Sequence, residues 1–291
     1  MQIINSPEIM QKTALELRSQ GRTIGFVPTM GFLHAGHISL VKEARRSADI
    51  VVLSIFVNPL QFGPREDFKT YPRDLARDGE LCRQNGVDIL FNPSAADMYA
   101  RDNAVFMDEN DLSKQLCGKF RENHFRGVLT VVAKLFNIVL PDAAVFGQKD
   151  AQQAMLIRRM IRDFNFPVKM VVAPIARETD GLAMSSRNAC LSPEERRAAV
   201  CLSAALRQAR RLYRAGERDV LVLKAAMFDL VARGKPAAID YIEIAGAVDL
   251  KPLDKIGDEN VLIALAVRIG NVRLIDNLPL PDDRLGNLSG A

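Results

Sequence analysis

The chain has 291 residues, enough to bury a substantial core and to divide into two domains. Its 48% apolar and 25% charged content describes an ordinary globular protein, and a net charge of +4 with no long basic block argues against a nucleic-acid binder. No apolar run reaches the ~20 residues that a membrane span needs, so no membrane partner is expected. Cys82, Cys117, Cys190 and Cys201 form no CxxC pair, which argues against a zinc site or a disulfide framework and suits a reducing compartment. The opening MQIINSPEIM lacks a basic segment followed by an apolar run, so no secretory signal is expected and the cytoplasm is the expected location.

Ser6 and Pro7 mark a first helix as N-cap and first helical residue; Met10, Ala14 and Leu17 give its apolar stripe and Gly21 closes it. Residues 23–27 then read as a strand, and residues 38–48 as an amphipathic helix. Between them lies PTMGFLHAGH, residues 28–37. In an α/β sheet such a junction sits at the carboxyl edge of the strands, where ligands bind. A helix start offers unpaired N–H groups and a partial positive charge, which suit a phosphate. Gly31 and Gly36 allow close backbone approach, and His34 and His37, three apart, share one face of the first turn. Imidazoles there can steady charge on a leaving pyrophosphate. As an isolated pattern, HxGH is equally compatible with two ordinary turn histidines.

Residues 50–57, IVVLSIFV, read as a strand buried on both faces and stopped by Asn58-Pro59, with Gln61 just beyond. A helix is expected over 75–85, a short strand over 87–91, and an irregular stretch over 94–124, near whose end Arg121, His124 and Arg126 lie close in sequence. An apolar helix over 128–140 and a strand over 143–146 lead into Gly147-Gln148-Lys149-Asp150, then a helix over 151–164 and a strand over 168–175. Five strands alternating with helices predict a Rossmann-like α/β fold: a mostly parallel sheet with helices on both faces and the strand-end loops on one edge. The composition then changes. A helix over 192–215, another over 220–233, and strands over 239–244, 261–267 and 272–276 predict a smaller α+β domain. The expected division is residues 1–176 and 177–291, with a loose tail after Leu280.

Lys149 brings a point charge suited to a phosphate, and Asp150 either accepts from a ribose hydroxyl or caps its helix. Gln61 and Gln153 are neutral groups suited to orienting a small polar substrate, or plain surface residues. Met184, Ser185, Ser186 and Arg187 make a loop suited to a triphosphate, or a Ser-rich linker. Asp78 is either a carboxylate for Mg²⁺ or a solvated helix residue. This set suits attack on the α-phosphate of ATP with pyrophosphate leaving, and it does not name the nucleophile.

The motifs PTMGFLHAGH, SIFVNPLQF, YPRDLARD, FRGVLTVVAKLFN, FGQKDAQQ and RETDGLAMSSRN, in that order, resemble those of the pantothenate synthetase (pantoate–β-alanine ligase) family. The resemblance implies that the carboxylate of (R)-pantoate attacks ATP to give pantoyl adenylate and pyrophosphate. β-Alanine then displaces AMP to give pantothenate, a step of coenzyme A biosynthesis. It also implies Mg²⁺ and a homodimer. Residue by residue, it assigns ATP contacts to Met30, Gly31, Phe32, Leu33, His34, Ala35, Gly36 and His37. Further ATP contacts fall on Gly147, Gln148, Lys149, Asp150, Ala176, Met184, Ser185, Ser186 and Arg187. His37 matches a proton donor, His34 and Lys149 phosphate stabilisers, Gln61 and Gln153 pantoate ligands, and Asp78 a metal-associated carboxylate. Ala176 stands where the family usually has valine, and Phe32 and Ala35 also depart from its common choices. An adenylate exposed to water would hydrolyse, so a C-terminal lid makes chemical sense. The rival readings are another HxGH adenylyltransferase with a phosphorylated acceptor, which would need a cationic acceptor site, and a nucleotide-sensing module without turnover.

Overall fold

The computed structural model describes residues 1–64, 66–281 and 285. It opens with a strand that periodicity does not reveal: Gln2–Ile4 (β1) is too short to show alternation and is defined by parallel pairing with a later strand. Pro7–Ser19 (α1) follows, capped by Ser6, whose hydroxyl accepts from the Ile9 N–H. Ile24–Thr29 (β2) leads to Ala35–Ser47 (α2), and Ile50–Ile55 (β3) to Leu75–Gln84 (α3). Ile89–Phe91 (β4) and the single turn Ala95–Met98 (α4) precede the irregular stretch. His124–Val139 (α5) begins four residues before its expected start, where Asn123 takes a left-handed turn (φ 58°), and is buried over most of its length. Ala143–Gly147 (β5), Ala151–Asp163 (α6) and Lys169–Ala173 (β6) complete the alternation.

The sheet has six strands in the order β1-β4-β3-β2-β5-β6, all parallel. The chain runs outward from β2 through β3 to β4, then returns to the other side of β2 for β5 and β6. The order therefore reverses between β2 and β5, and a crevice for ligands opens at that switch point. Val27, Leu33, Val41, Ala44, Leu53 and Leu90 are fully buried in the core beneath this edge.

The helix expected over 192–215 is two helices, Pro193–Ala198 (α7) and Cys201–Arg214 (α8), separated by a turn at Ala199 and Val200 that no glycine or proline signals. Val220–Arg233 (α9) and the antiparallel strands Ala238–Gly246 (β7), Val261–Ile269 (β8) and Val272–Leu280 (β9) follow. Leu202, Leu206, Leu223 and Met227 of the helices bury against Ile244, Ile263 and Leu265 of this sheet. The chain forms two compact units, Met1–Ser113 with Arg121–Gly147 and Gln153–Ala173, and Lys114–Phe120 with Gln148–Gln152 and everything from Pro174 on. The tail expected to be loose lies, Pro281 and Leu285 apart, outside the described residues.

Candidate active site

At the turn after β2 the helix begins earlier than the sequence predicts, so Ala35, Gly36 and His37 form the first turn of α2 and His34 is its N-cap. The two histidines cap reciprocally. His34 Nδ1 accepts from the Gly36 N–H at 3.1 Å, and His37 Nδ1 accepts from the His34 N–H at 3.3 Å. Their rings lie 4.1 Å apart between centroids. A nitrogen that accepts from an amide carries no hydrogen, so the neutral ring of each bears it on Nε2. Two N–H donors thus stand at the positive end of a helix, the arrangement that stabilises a phosphate.

The approach to this turn is left-handed: Gly31 has φ 85° and Phe32 φ 50°. The Thr29 hydroxyl accepts from the Gly31 N–H at 3.1 Å and donates to the Ser54 carbonyl at 2.7 Å. From α3, Asp78 accepts from the Phe32 N–H at 2.6 Å and the Leu33 N–H at 2.7 Å. It is 1% exposed, so it is no solvated helix carboxylate. Burial raises its pKa, against the pull of these two amides and of Arg77. One turn along α3, burial, with the Asp78 charge adding to it, pushes the Cys82 thiol up to about 12. A cavity of about 360 Å³, lined by Met30, Phe32, Phe56, Phe68, Arg73 and Asp78 among others, lies beside the turn.

After β3, Asn58 caps the 3₁₀ turn Pro59–Gln61. The amide of Asn58 donates to Gln61 Oε1 at 3.1 Å and to the Gly127 carbonyl of α5 at 3.0 Å, while its oxygen accepts from the Tyr99 hydroxyl at 2.8 Å. A Cβ on Gly127 would stand 2.3 Å from the Leu60 carbonyl oxygen, so only glycine lets the turn seat on α5. Gln61 is buried, and its Nε2 donates to Met30 Sδ at 3.1 Å, which brings the two strand-end turns into contact. The third histidine completes the frame. Arg121 Nη1 lies 2.8 Å from His124 Nε2, and since guanidinium only donates, Nε2 accepts and Nδ1–H donates to the Gln61 carbonyl at 2.8 Å. Arg121 is itself gripped by Glu66 through two 2.7 Å bonds. Burial pushes the Glu66 carboxyl up, but the bonds and charge of Arg121, with His124 beside it, override this and hold its pKa below the ordinary value.

In the second unit, Gln148–Asp150 is a 3₁₀ turn leading into α6. Asn277 of β9 donates to the carbonyls of Gln148 and Lys149, both at 2.9 Å. Lys149 lies 4.0 Å from Asp150, whose side chain is half exposed. The stretch weighed as a triphosphate loop or a linker is a hairpin: the Met184 N–H donates to the Ala176 carbonyl at 2.9 Å, and Arg177 bridges to Ala183. The Ser185 hydroxyl caps a 3₁₀ turn by accepting from the Arg187 N–H at 3.3 Å, and Ser186 is buried. β9 packs against both of these turns. Arg177 holds the buried Asp276 through bonds of 2.6 and 2.9 Å.

The model of the pantoate-beta-alanine ligase family matches residues 2–279. The chain belongs to this family. A pantothenate synthetase of Thermotoga neapolitana is 53% identical over 277 residues, which span 95% of this chain and 99% of the relative. One from Heliobacterium modesticaldum is 55% identical over 278 residues, 96% of this chain and 99% of the relative. The crystal structure of a pantothenate synthetase from Thermus thermophilus superposes with a TM-score of 0.87 at 43% identity, covering 96% of this chain and 99% of that one. A pantoate-beta-alanine ligase from Francisella tularensis, complexed with beta-gamma ATP and beta-alanine, gives 0.79 at 36% identity, covering 96% and 97%.

Within the chain, the first unit holds Met30 to His37, Gln61, Asp78, Gly147 and, on α6, Gln153. The second holds Gln148, Lys149, Asp150, Ala176 and Met184 to Arg187. Three of these residues also brace the turn itself. Leu33 is 0% exposed and packs in the core, and the amides of Phe32 and Leu33 are taken by Asp78, so these residues shape the turn from within. Each Asp78 oxygen accepts one amide hydrogen, so the carboxylate braces the turn and keeps further lone pairs on both oxygens. Among the described residues no three His, Cys, Asp or Glu side chains gather as a metal site. Sequence reasoning noted Arg121 and His124 but gave them no task, it read Asn58 as a strand stop at the head of a polar loop, and it singled out neither Glu66 nor Gly127. The pairing FRGV with NPLQ was the available signal, a glycine opposite a tight turn.

Proposed function

We propose that this chain condenses (R)-pantoate with β-alanine at the expense of ATP, through pantoyl adenylate, releasing pyrophosphate and AMP. The reciprocal cap of His34 and His37 at the start of α2 carries the reading, because it fixes two Nε2–H donors at a phosphate-binding helix end. A pantoate carboxylate oxygen attacks the α-phosphorus, the bond to the bridging oxygen breaks, and pyrophosphate leaves with the electron pair. His37 donates toward the leaving group, and His34 and Lys149 offset charge on the phosphates. The amine of β-alanine then attacks the acyl carbon, the C–O bond to AMP breaks, and the nitrogen loses a proton.

Gln61 is supported as a pantoate ligand by its partners. Asn58 holds Oε1, while Nε2 donates to a thioether, a weak acceptor that a substrate hydroxyl or carboxylate would displace. Gln153 is proposed as a second pantoate ligand, and Gly147, Gln148, Asp150, Ala176 and Met184 to Arg187 as nucleotide contacts, on the resemblance. Mg²⁺ arrives as part of the ATP substrate, on phosphates that keep it with few protein carboxylates. The reading includes a lid role for the C-terminal domain expected over 177–291, which would spare the adenylate from water. It includes a homodimer, which sedimentation equilibrium tests, and a cytoplasmic location, for which four free thiols speak.

The test is pyrophosphate release from ATP and Mg²⁺ with pantoate. A single-turnover burst is expected without β-alanine, becoming steady turnover when it is added. Release that requires a phosphorylated acceptor instead, or none at all with ATP bound, would replace this reading.

A further inference from the structure

A run of residues whose turn points successive backbone N–H groups to one side makes a concavity that binds anions. Gly31 and Phe32 form such a run, in the loop where an incoming phosphate would be expected to use it. The protein fills it with its own carboxylate. We propose that Asp78 is a positioning residue for adenylation: it occupies the amide cradle of Phe32 and Leu33 and thereby fixes the turn that aims His34 and His37. This rests on the adenylation reading above.

The surroundings leave the turn little other choice. A Cβ on Gly31 would stand 2.9 Å from Ile55 Cγ2 and 3.2 Å from Asp78 Oδ2, so the turn is walled by β3 on one side and by Asp78 on the other. Phe32 holds a backbone conformation that side-chain-bearing residues avoid, and such conformations persist where neighbours over-determine them. Its N–H is tied to Asp78, and its ring lies under Arg77, whose guanidinium is 5.0 Å from the ring centroid and 3.9 Å from Asp78 Oδ1. Leu33 is anchored in the core and is covalently joined to His34, so any rotation of the 32–33 amides re-aims the N-cap imidazole. The phosphates are consequently met by the imidazoles and by α2, and the amides of residues 32 and 33 serve as the frame.

Asp78→Asn is the test, because an amide can accept from one of these N–H groups while turning its own NH₂ against the other. On the whole enzyme, single-turnover pyrophosphate formation is expected to slow about 100-fold, as a small misplacement of reacting groups does. The KM for ATP and the Mg²⁺ concentration giving half-maximal rate stay unchanged. Adding Phe32→Gly, which removes the conformational penalty, is expected to recover about tenfold of the loss. A metal-ligand role would predict no such rescue. Nitrogen-15 spectra of the imidazoles report the clamp without turnover: Asp78→Asn should shift both His34 and His37. Should Asp78→Asn not fold, Gly31→Ala is read instead and is expected to shift the same two rings. An Mg²⁺ half-saturation raised about tenfold or more would overturn the proposal in favour of metal ligation, as would unmoved imidazole resonances. Wild-type enzyme that releases no pyrophosphate with pantoate fails the functional reading alone, since the spectra still judge the clamp.

Discussion

The turns that leave β2 and β3 both end at the crevice, and they are built in opposite ways. After β2, the imidazole bonds close within three residues, His34 to Gly36 and His37 to His34. After β3, Gln61 is held from across the fold: the Asn58 that grips it also reaches the Gly127 carbonyl 69 positions away, and His124 takes its backbone oxygen from 63 positions away. A short circuit survives the loss of a member with a local cost, because the rest of the helix keeps its own bonds. A long circuit ties Gln61, the proposed pantoate ligand, to the docking of α5, so damage at a distance reaches it. The same device, a hydrogen-bond donor fixed by its neighbours, therefore carries different vulnerabilities in adjacent loops.

His37→Ala should show the largest effect and the sharpest separation of activity from stability. It removes an Nε2–H donor, so adenylation is expected to slow about 10²- to 10⁴-fold. It breaks half of one cap, so urea unfolding should register only about 1 kcal/mol. Gly127→Ala is the counterpart in the long circuit. Its Cβ would sit 2.3 Å from the Leu60 oxygen, so the turn must lift from α5, at about 1–3 kcal/mol of stability. Gln61 moves with the turn, so the KM for pantoate should rise well before kcat falls. If His37→Ala proved as destabilising as Gly127→Ala, the two turns would not differ in kind.

That difference also decides what could be read from the chain. The parallel sheet was legible because β2, β3 and β5 are apolar runs separated by helical periodicity, and the strand-to-helix junction around His34 and His37 was legible from the runs on either side of it. β1 was hidden because three residues carry no period and its pairing with β4 is a tertiary fact. α5 started early because Asn123 adopts a left-handed conformation, one that asparagine tolerates but does not by itself announce. The break between α7 and α8 has no breaker residue, and nothing in the structure explains it. Asp78 was misread as exposed because α3 shows a polar pattern, and only the fold reveals that one of its carboxylates points inward at a loop 45 positions earlier. Glu66, Arg121 and His124 likewise stand in stretches without periodicity, and their meaning lies in one another.

Glu66→Gln sharpens the comparison at the smallest scale, since Glu66 touches Gln61 only through Arg121 and His124. At neutral pH the variant loses a bidentate, partly buried ion pair, and about 1–3 kcal/mol of stability should go with it. The sign with pH follows from the lowered pKa. In the folded wild type the carboxylate holds its charge below the ordinary glutamate value of 4.5, so its stabilisation is fully present above that value. As pH falls through the folded-state pKa, the wild type takes up the proton and loses the advantage. The stability gap between wild type and Glu66→Gln should therefore be constant at neutral pH and close on acidification below about 4.5. The KM for pantoate should differ between the two proteins in the same window, while the reciprocal bonds of His34 and His37, which involve no residue of this chain of contacts, keep their imidazole resonances. A gap that persisted into acid would mean that Glu66 acts by packing, and that the long circuit reaches Gln61 without its charge.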